Sequence, residues 1–427
     1  MAEGPLSGVR VLEFSQIVAM PFAGCILSDL GADVIKVEPL AGDPYRNLAA
    51  VVRGNGKRFQ SLNRGKRSIA VDLKDPRGLD LVYRLVPEVD VATINFRGGV
   101  AERLGVDYEA LKQHNPALIY CEITGFGTTG PLKDRAGTQP VATAYSGLTA
   151  GEGKVDEDGL PQGITAASIS DYSAAYSGVA GILAALYHRE RTGQGQKVSA
   201  TLLRSSLAIQ DTSVMREPTH DATARDLMMA EVESIRARGG SYTEVLASRA
   251  GRRPFFLGYR CYASGFQTSD GILVLGALTP AGRNGARKVL GITDDHSDSD
   301  PSFDPNDPNN VEDARQRLEV VRALIRTRSV REWEIAFEAA GVPVSSLNLP
   351  EELADDPQVQ ALGIMVELEH ELTGPQRVVG PVVELSETPT SVQGPAPTLG
   401  RHTDEVLMEV GLDTGEIAEL RSTGVIG

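Results

Sequence analysis

An α/β fold with a parallel sheet and helices on its faces follows from three features of the N-terminal half. Strand-like and helix-like stretches alternate, the first three form a strand–helix–strand unit, and the longest helical pattern ends on a glycine. Val9 to Phe14 is an apolar run rich in β-formers, and Pro21 to Leu30 carries apolar residues at helical spacing until Gly31 stops it. Asp33 to Glu38 reads as the second strand. Asp75 and Pro76 cap and begin a helix through Leu85, Val89 to Phe96 is a strand, Tyr108 to His114 a short helix, and Ala117 to Thr124 another strand. The clearest helix starts at Asp171 and runs to Thr192, with Val179, Ile182, Leu183 and Leu186 as its apolar stripe and Gly193 at its C-cap. Lys197 to Leu203 resumes as strand.

Beyond Ser205 the pattern turns to charged helical segments. A hairpin is expected over Tyr259 to Leu278 with Ser269-Asp-Gly271 as its turn, followed by helices at Pro280–Leu290 and Val311–Thr327. Asp294 to Pro308 is a surface loop that lacks the central Gly and closing Glu of a calcium loop. Ser329 and Glu332 form a capping box, Val342–Leu347, Met365–Glu371 and Val378–Leu385 read as short strands, and Thr414–Arg421 as a last helix.

Composition narrows the classes of function. The 427 residues carry a net charge of −15 with 41 % hydrophobic residues, an ordinary globular balance that speaks against nucleic acid as main partner. The longest apolar run, Gly178 to Tyr187, is far short of the ~20 residues of a membrane span. The N-terminus shows no secretory pattern, and the 3 cysteines form no CxxC pair, so a cytoplasmic location is expected. The 6 histidines are scattered without an HExxH, and no metal site is expected. Gly125-Phe-Gly127-Thr-Thr-Gly130 matches GxGxxG, but a loop rather than a helix continues from it, and it lies outside the first βα turn. No GxSxG elbow occurs.

Two features remain. From Pro44 to Val71 there is no Asp or Glu, whereas Arg46, Arg53, Lys57, Arg58, Arg64, Lys66 and Arg67 all fall there. This is either a solvated basic loop or a seat for a small phosphorylated ligand. Asp171 stands in the first turn of the strongest helix, after the small residues Thr165 to Ser170. It is either a plain N-cap or an ionised carboxylate with little bulk around it, as a carboxylate nucleophile requires.

The motifs Gly8-Val-Arg-Val-Leu-Glu-Phe14, Leu30-Gly-Ala-Asp-Val-Ile-Lys-Val-Glu-Pro39, Asn63-Arg-Gly-Lys-Arg-Ser-Ile69, Asn95-Phe96 with Arg103-Leu-Gly105, and Thr192-Gly-Gln-Gly-Gln196 resemble the class III coenzyme A transferases. The resemblance continues at Ala340-Gly-Val-Pro-Val344 and Leu399-Gly-Arg-His-Thr-Asp-Glu-Val-Leu407. It implies a large doubly wound, Rossmann-like domain, a smaller α+β domain and an interlocked homodimer. It also implies that Asp171 attacks an acyl-CoA and carries coenzyme A as an aspartyl thioester before passing it to an organic acid. No tightly bound cofactor is implied, only coenzyme A and its esters as substrate.

By the same match Val18, Lys66, Arg67, Val71, Lys74, Asn95, Phe96, Arg103, Leu104 and Arg135 bind the coenzyme, and Gln16, Thr138 and Gln139 line the substrate pocket. The racemases of the family have a His-Asp pair where this chain has Thr138 and Gln139, which cannot exchange an α-proton at neutral pH. Val18 replaces a glutamine of the formyl-CoA enzyme, and Phe255 and Phe256 near Arg252 and Arg253 suggest a larger acid. The alternatives to intermolecular transfer are transfer within one dicarboxylic acyl-CoA, an acyl-CoA racemase, and a coenzyme-binding protein without turnover. The expected division is a large domain over 1–205 completed by 395–427, a linker over 206–230, a small domain over 231–330 and a return segment over 331–394.

Overall fold

The computed structural model describes residues 4–251, 255–305 and 307–427. Arg252 and Arg253, and the side chains of Phe255 and Phe256, lie outside the described residues, and so does the expectation attached to them. The chain divides into two units, one comprising 1–154, 161–215 and 356–427, the other 155–160 and 216–355.

The first unit is built on six parallel strands: β1 Arg10–Phe14, β2 Asp33–Glu38, β3 Arg67–Ala70, β4 Val91–Ile94, β5 Ile119–Thr124 and β6 Lys197–Thr201. Their order is β3-β2-β1-β4-β5-β6, so the winding reverses between β1 and β4. Alternate side chains of each strand feed opposite faces. Leu12, Phe14, Ile35, Val37 and Ile69 pack on one side with Leu81, Val82 and Leu85 of the helix Pro76–Leu85 and with Val406, Leu407 and Ile417 near the C-terminus. Val11, Val34, Val91, Ile119 and Cys121 pack on the other with Ala23 and Leu27 of the helix Ala19–Asp29 and Ala174, Ala175 and Ile182 of the helix Ile169–Thr192. Burial on both faces explains why the inner strands β1, β2, β4 and β5 read as nearly continuous apolar runs.

The long helix begins two residues before the expected Asp171, at Ile169, and ends as expected with Gly193 at φ 72°. Leu183 departs from the expected stripe and is exposed. Small residues take its place against the sheet: a Cβ on Gly178 would come within 3.2 Å of Ile123, and one on Gly181 within 2.5 Å of Val198. Strand β6 stops at Thr201, where the Thr201 hydroxyl accepts from the Arg204 N–H and caps a helix over Leu202–Ala208 in place of the expected strand end. The last expected strand also shifts. Gly374–Val379 pairs antiparallel with Met365–His370, and residues 380–385 form no strand.

In the second unit β7 Gly265–Gln267, β8 Ile272–Leu275 and β9 Val344–Ser346 form an antiparallel sheet. Thr268 closes the expected turn by donating its N–H to the Gly271 carbonyl, but the hairpin is shorter than expected because Tyr259 and Arg260 end a helix. Trp333 and Phe337, from the helix opened by the Ser329–Glu332 capping box, fill the core with Tyr262, Leu273 and Val321. That packing, with β9 beside β8, extends this unit to residue 355, past the expected boundary at 330. Among the described residues no helix is long and apolar enough to cross a membrane, and no cluster of His, Cys, Asp or Glu could hold a metal ion.

The large sheet encloses charge as well as hydrocarbon. Glu13 lies opposite Lys36 in the β1–β2 register, and Lys36 Nζ stands 3.1 Å from its Oε1 while Lys66 Nζ stands 2.9 Å from its Oε2. All three side chains are fully enclosed. Burial pushes the Glu13 carboxyl up, but Lys66 and Lys36 outweigh it and hold the group below the usual carboxylate range. Removing one member of such a set leaves enclosed charge without compensation. Lys66→Met is therefore expected to lower unfolding free energy by about 3 kcal/mol or more in urea denaturation; an unchanged midpoint would show that the network is not holding this layer together.

Candidate active site

In an open parallel sheet, the reversal of strand order leaves a crevice at the carboxyl ends of the two strands that flank it. A cavity of about 200 Å³ occupies that position, lined by Phe14 at the end of β1 and Gln16 beyond it, Glu38 at the end of β2 and Asp43 beyond it, Val71 and Lys74 after β3, and Phe96 and Leu104 after β4. The structure thus brings together five of the residues singled out from sequence: Gln16, Val71, Lys74, Phe96 and Leu104. Lys74 and Arg103 are exposed, and neither is engaged in an ion pair among the described residues. Asn95 acts on backbone: its Nδ2 donates to the Gln16 carbonyl at 2.8 Å and its Oδ1 accepts from the Gln16 N–H at 3.0 Å. Val18 is buried at the head of the helix Ala19–Asp29 and is absent from the cavity lining. Arg135 lies apart from the cavity lining, on the loop after β5, over the ring of Phe126.

The basic stretch corrects two expectations. Lys66 is enclosed, its ammonium taken up by Glu13, the Pro21 carbonyl and Asn63, so it cannot reach a phosphate. Arg67 begins β3, at the opposite end of the strand from the cavity, and pairs with Asp33, Glu405 and Glu409. Arg46 and Arg64 are likewise buried, on Glu38 at 2.6 Å and Asp29 at 2.5 Å. Arg53, Lys57 and Arg58 remain exposed. Charge count alone gave no way to separate these groups; the acids on neighbouring strands, Glu13 and Glu38, were the available signal.

Asp171 reaches the same edge of the sheet by topology. Strands β5 and β6 are parallel neighbours, so the helix joining them runs back across the sheet and must start at the carboxyl edge. Asp171 is the third residue of that helix, and Ser168 stands at the N-cap. The plain N-cap reading therefore fails. No hydrogen bond among the described residues reaches the Asp171 carboxylate. Partial burial pushes it up to about 6, against the pull of the Arg58 guanidinium. Arg58 was not distinguished by sequence; it donates to the Ser168 hydroxyl at 3.0 Å, across the head of the helix.

Gln139 joins the two helix starts. It opens the helix Gln139–Ser146 behind Thr138, and its Oε1 accepts from the Ser170 N–H at 2.9 Å, leaving its Nε2 buried without a partner. Beyond Asp171, the rings of Tyr172 and Tyr176 pack edge-on against Phe22 at 4.7 and 5.6 Å. These three line a groove of about 1010 Å³ with Lys57, Leu372, Pro375 and Val378.

Comparison with known proteins identifies the family of the chain. The family model described as CoA-transferase family III matches residues 6–403. The chain is 33 % identical to the mouse succinyl-CoA:glutarate CoA-transferase over 99 % of its own length and 90 % of the relative's. It is 34 % identical to the succinate–glutarate CoA-transferase of Agrobacterium fabrum over 95 % and 96 %, and 32 % identical to the beta subunit of the succinyl-CoA–L-malate CoA-transferase of Chloroflexus aurantiacus over 99 % and 98 %. Among solved structures, Rv3272 from Mycobacterium tuberculosis aligns with TM-score 0.74 at 26 % identity, covering 95 % of this chain and 99 % of that one. A CAIB/BAIF family protein from Brucella suis aligns with TM-score 0.72 at 26 % identity, covering 96 % and 100 %.

The environment of Asp171 has a consequence for stability. Its folded value, about 6, lies above its ordinary 3.8, so the native state holds the proton more tightly. Stability from this group is thus present at low pH and is lost as pH rises toward about 6, where the ionised carboxylate must be buried. Asp171→Asn escapes that cost. Its stability relative to wild type is expected to increase between about pH 4 and pH 7 in paired denaturation curves, and a flat difference would mean a fully solvated carboxylate.

Proposed function

Since the chain belongs to CoA-transferase family III and is a CoA-transferase, we propose that it moves coenzyme A from an acyl-CoA thioester to an organic-acid carboxylate through an aspartyl thioester on Asp171. The observation that carries this reading is a carboxylate at the head of a long helix, free of hydrogen bonds among the described residues and raised to about 6. Such a group is still ionised at neutral pH and is more basic than a solvated aspartate, which favours attack on a carbonyl.

An Asp171 oxygen attacks the donor thioester carbonyl, the C–S bond breaks, and a mixed anhydride and CoA thiolate result. The thiolate attacks the aspartyl carbonyl, the C–O bond breaks, and the donor acid leaves as its carboxylate. The acceptor carboxylate then opens the aspartyl thioester and expels the thiolate, which attacks the acceptor's acyl carbon and regenerates Asp171. One thioester is exchanged for another, so the sequence needs no outside energy source. The Gln139 Nε2, left without a partner at the helix head, is suited to the oxyanions of these steps; such a donor typically contributes about 3–4 kcal/mol.

The cavity at the strand reversal is the seat for the nucleotide end of the coenzyme, with Phe96, Val71 and Leu104 as apolar walls, and with Lys74 of the lining and the exposed Arg103 beside Leu104 as phosphate partners. The acids are short dicarboxylates, in keeping with the succinate, glutarate and malate in the names of the relatives. Arg58 suits a second carboxylate of such an acid, since its charge is already felt at Asp171. The active form is an interlocked homodimer, in which a second copy covers the apolar groove beside Tyr172 and Tyr176. A cytoplasmic location accords with free, buried Cys25, Cys121 and Cys261.

Asp171→Asn is expected to lose exchange by about a thousandfold or more, the scale of nucleophile replacement, while calorimetry finds CoA affinity largely kept. Retained turnover would dispose of the nucleophile. Hydroxylamine added with acyl-CoA should leave a hydroxamate at position 171, read by peptide mass spectrometry. Lys74→Ala is expected to weaken CoA binding by about tenfold, a loss that shrinks as salt is raised; equal affinity at low salt would place the phosphates elsewhere.

A further inference from the structure

The turn between β1 and the helix Ala19–Asp29 holds Ile17 at φ 74°. A β-branched residue in the left-handed region is an outlier that the surrounding structure must impose. Packing does not impose it, since Ile17 is 37 % exposed. Hydrogen bonds do. The Ile17 N–H donates to Asp43 Oδ2 at 3.1 Å, while Asn95 grips both backbone groups of the preceding Gln16.

Asp43 is itself set in place from several sides. It is 2 % exposed, its Oδ2 stands 3.3 Å from Lys36 Nζ, its Oδ1 accepts from the Tyr45 N–H at 2.9 Å, and its own N–H donates to Glu38 Oε2 at 3.0 Å. An unbroken chain of contacts therefore runs from Glu13 through Lys36 and Asp43 to the Ile17 N–H. The turn so held supplies Ser15 and Gln16 to the wall of the strand-reversal cavity.

We propose that Asp43 is a positioning residue, clamping the β1–helix turn through the Ile17 N–H into the left-handed form that shapes the coenzyme seat. The proposal rests on the reading of that cavity as the seat. Were Asp43 only the counter-ion of Lys36, its loss would act through stability alone, and the residue at position 17 would have no influence on the outcome. A clamp behaves differently, because glycine adopts positive φ without restraint. Removing the side chain at 17 should then make Asp43 dispensable.

The test is a double-mutant cycle on the full chain, with free coenzyme A titrated by calorimetry and fold checked by circular dichroism. Asp43→Ala is expected to weaken binding about tenfold, Ile17→Gly to stay within about twofold of wild type, and the double variant to recover to within about threefold. Wild-type affinity in a folded Asp43→Ala, or a double variant as weak as Asp43→Ala, overturns the clamp. Should Asp43→Ala fail to fold, Asp43→Asn takes its place in the cycle under the same criterion of rescue by glycine. Hydrogen exchange at the Ile17 amide reads the clamp without the coenzyme: slow in wild type, faster by about tenfold or more in the Asp43 variants. Exchange at solvent rate in wild type overturns the clamp whatever coenzyme A does, whereas slow exchange in a wild type that binds no coenzyme A overturns the seat and not the clamp.

Discussion

The carboxylate of Glu13 sits inside a parallel sheet, fully enclosed, and is sustained there by Lys36 from β2 and Lys66 from the segment ahead of β3. An enclosed ion is costly, and the cost is offset only where partners are close and their remaining hydrogen-bonding capacity is met. Meeting that condition ties three chain segments to one point. Lys36 fixes the β1–β2 register, Lys66 also reaches the Pro21 carbonyl and Asn63, and Asp43 joins through Lys36. Glu38 and Arg46 repeat the arrangement one step further along β2, with Ser68 of β3 as third partner. The head of the sheet is thus neutralised from within, and the cavity walls rest on that lattice of charge.

Against this background Asp171 stands out by what it lacks. Glu13 and Glu38 are held low by their cations despite burial. Asp171 is pushed up by burial and felt by Arg58 only at a distance, with no hydrogen bond to hold it. A raised value does not by itself mark a nucleophile, as Asp29 shows. It too is pushed up to about 6 by burial, yet it pairs with Arg64 at 2.5 Å, and its backbone carbonyl accepts from the Ser391 N–H. Asp29 fastens a surface segment to the core, whereas Asp171 is left available at a helix head.

Much of this was legible in the sequence, and the reasons differ by element. Caps and turns are local chemistry, so Asp75, Gly193, the Ser329–Glu332 box and the Ser269–Gly271 turn stand where their residues indicate. The inner strands β1, β2, β4 and β5 of the large sheet are buried on both faces, and their apolar runs announce them. Whether a basic side chain faces a ligand or an internal acid depends on register between strands far apart in sequence. Lys66, Arg67, Arg46 and Arg64 were therefore indistinguishable from Arg58. Leu183 misled because a helix that packs closely uses glycine and alanine on its inner face, and leucine is then free to point outward.

That close packing bears on the chemistry. A helix held away from the sheet by large side chains has play at its ends, and a reacting carboxylate in its first turn would share that play. Here Gly178 and Gly181 bring the backbone against Ile123 and Val198, and Gln139 ties the Ser170 N–H at the helix head. The first turn is thereby fixed relative to the strand ends that form the cavity. In the proposed mechanism, attack on a thioester depends on holding the Asp171 carboxylate close to the carbonyl carbon, and small misplacements are expensive in rate. A stripe of small residues and one side-chain amide supply that constraint, leaving the carboxylate itself free of the partners that would quench it.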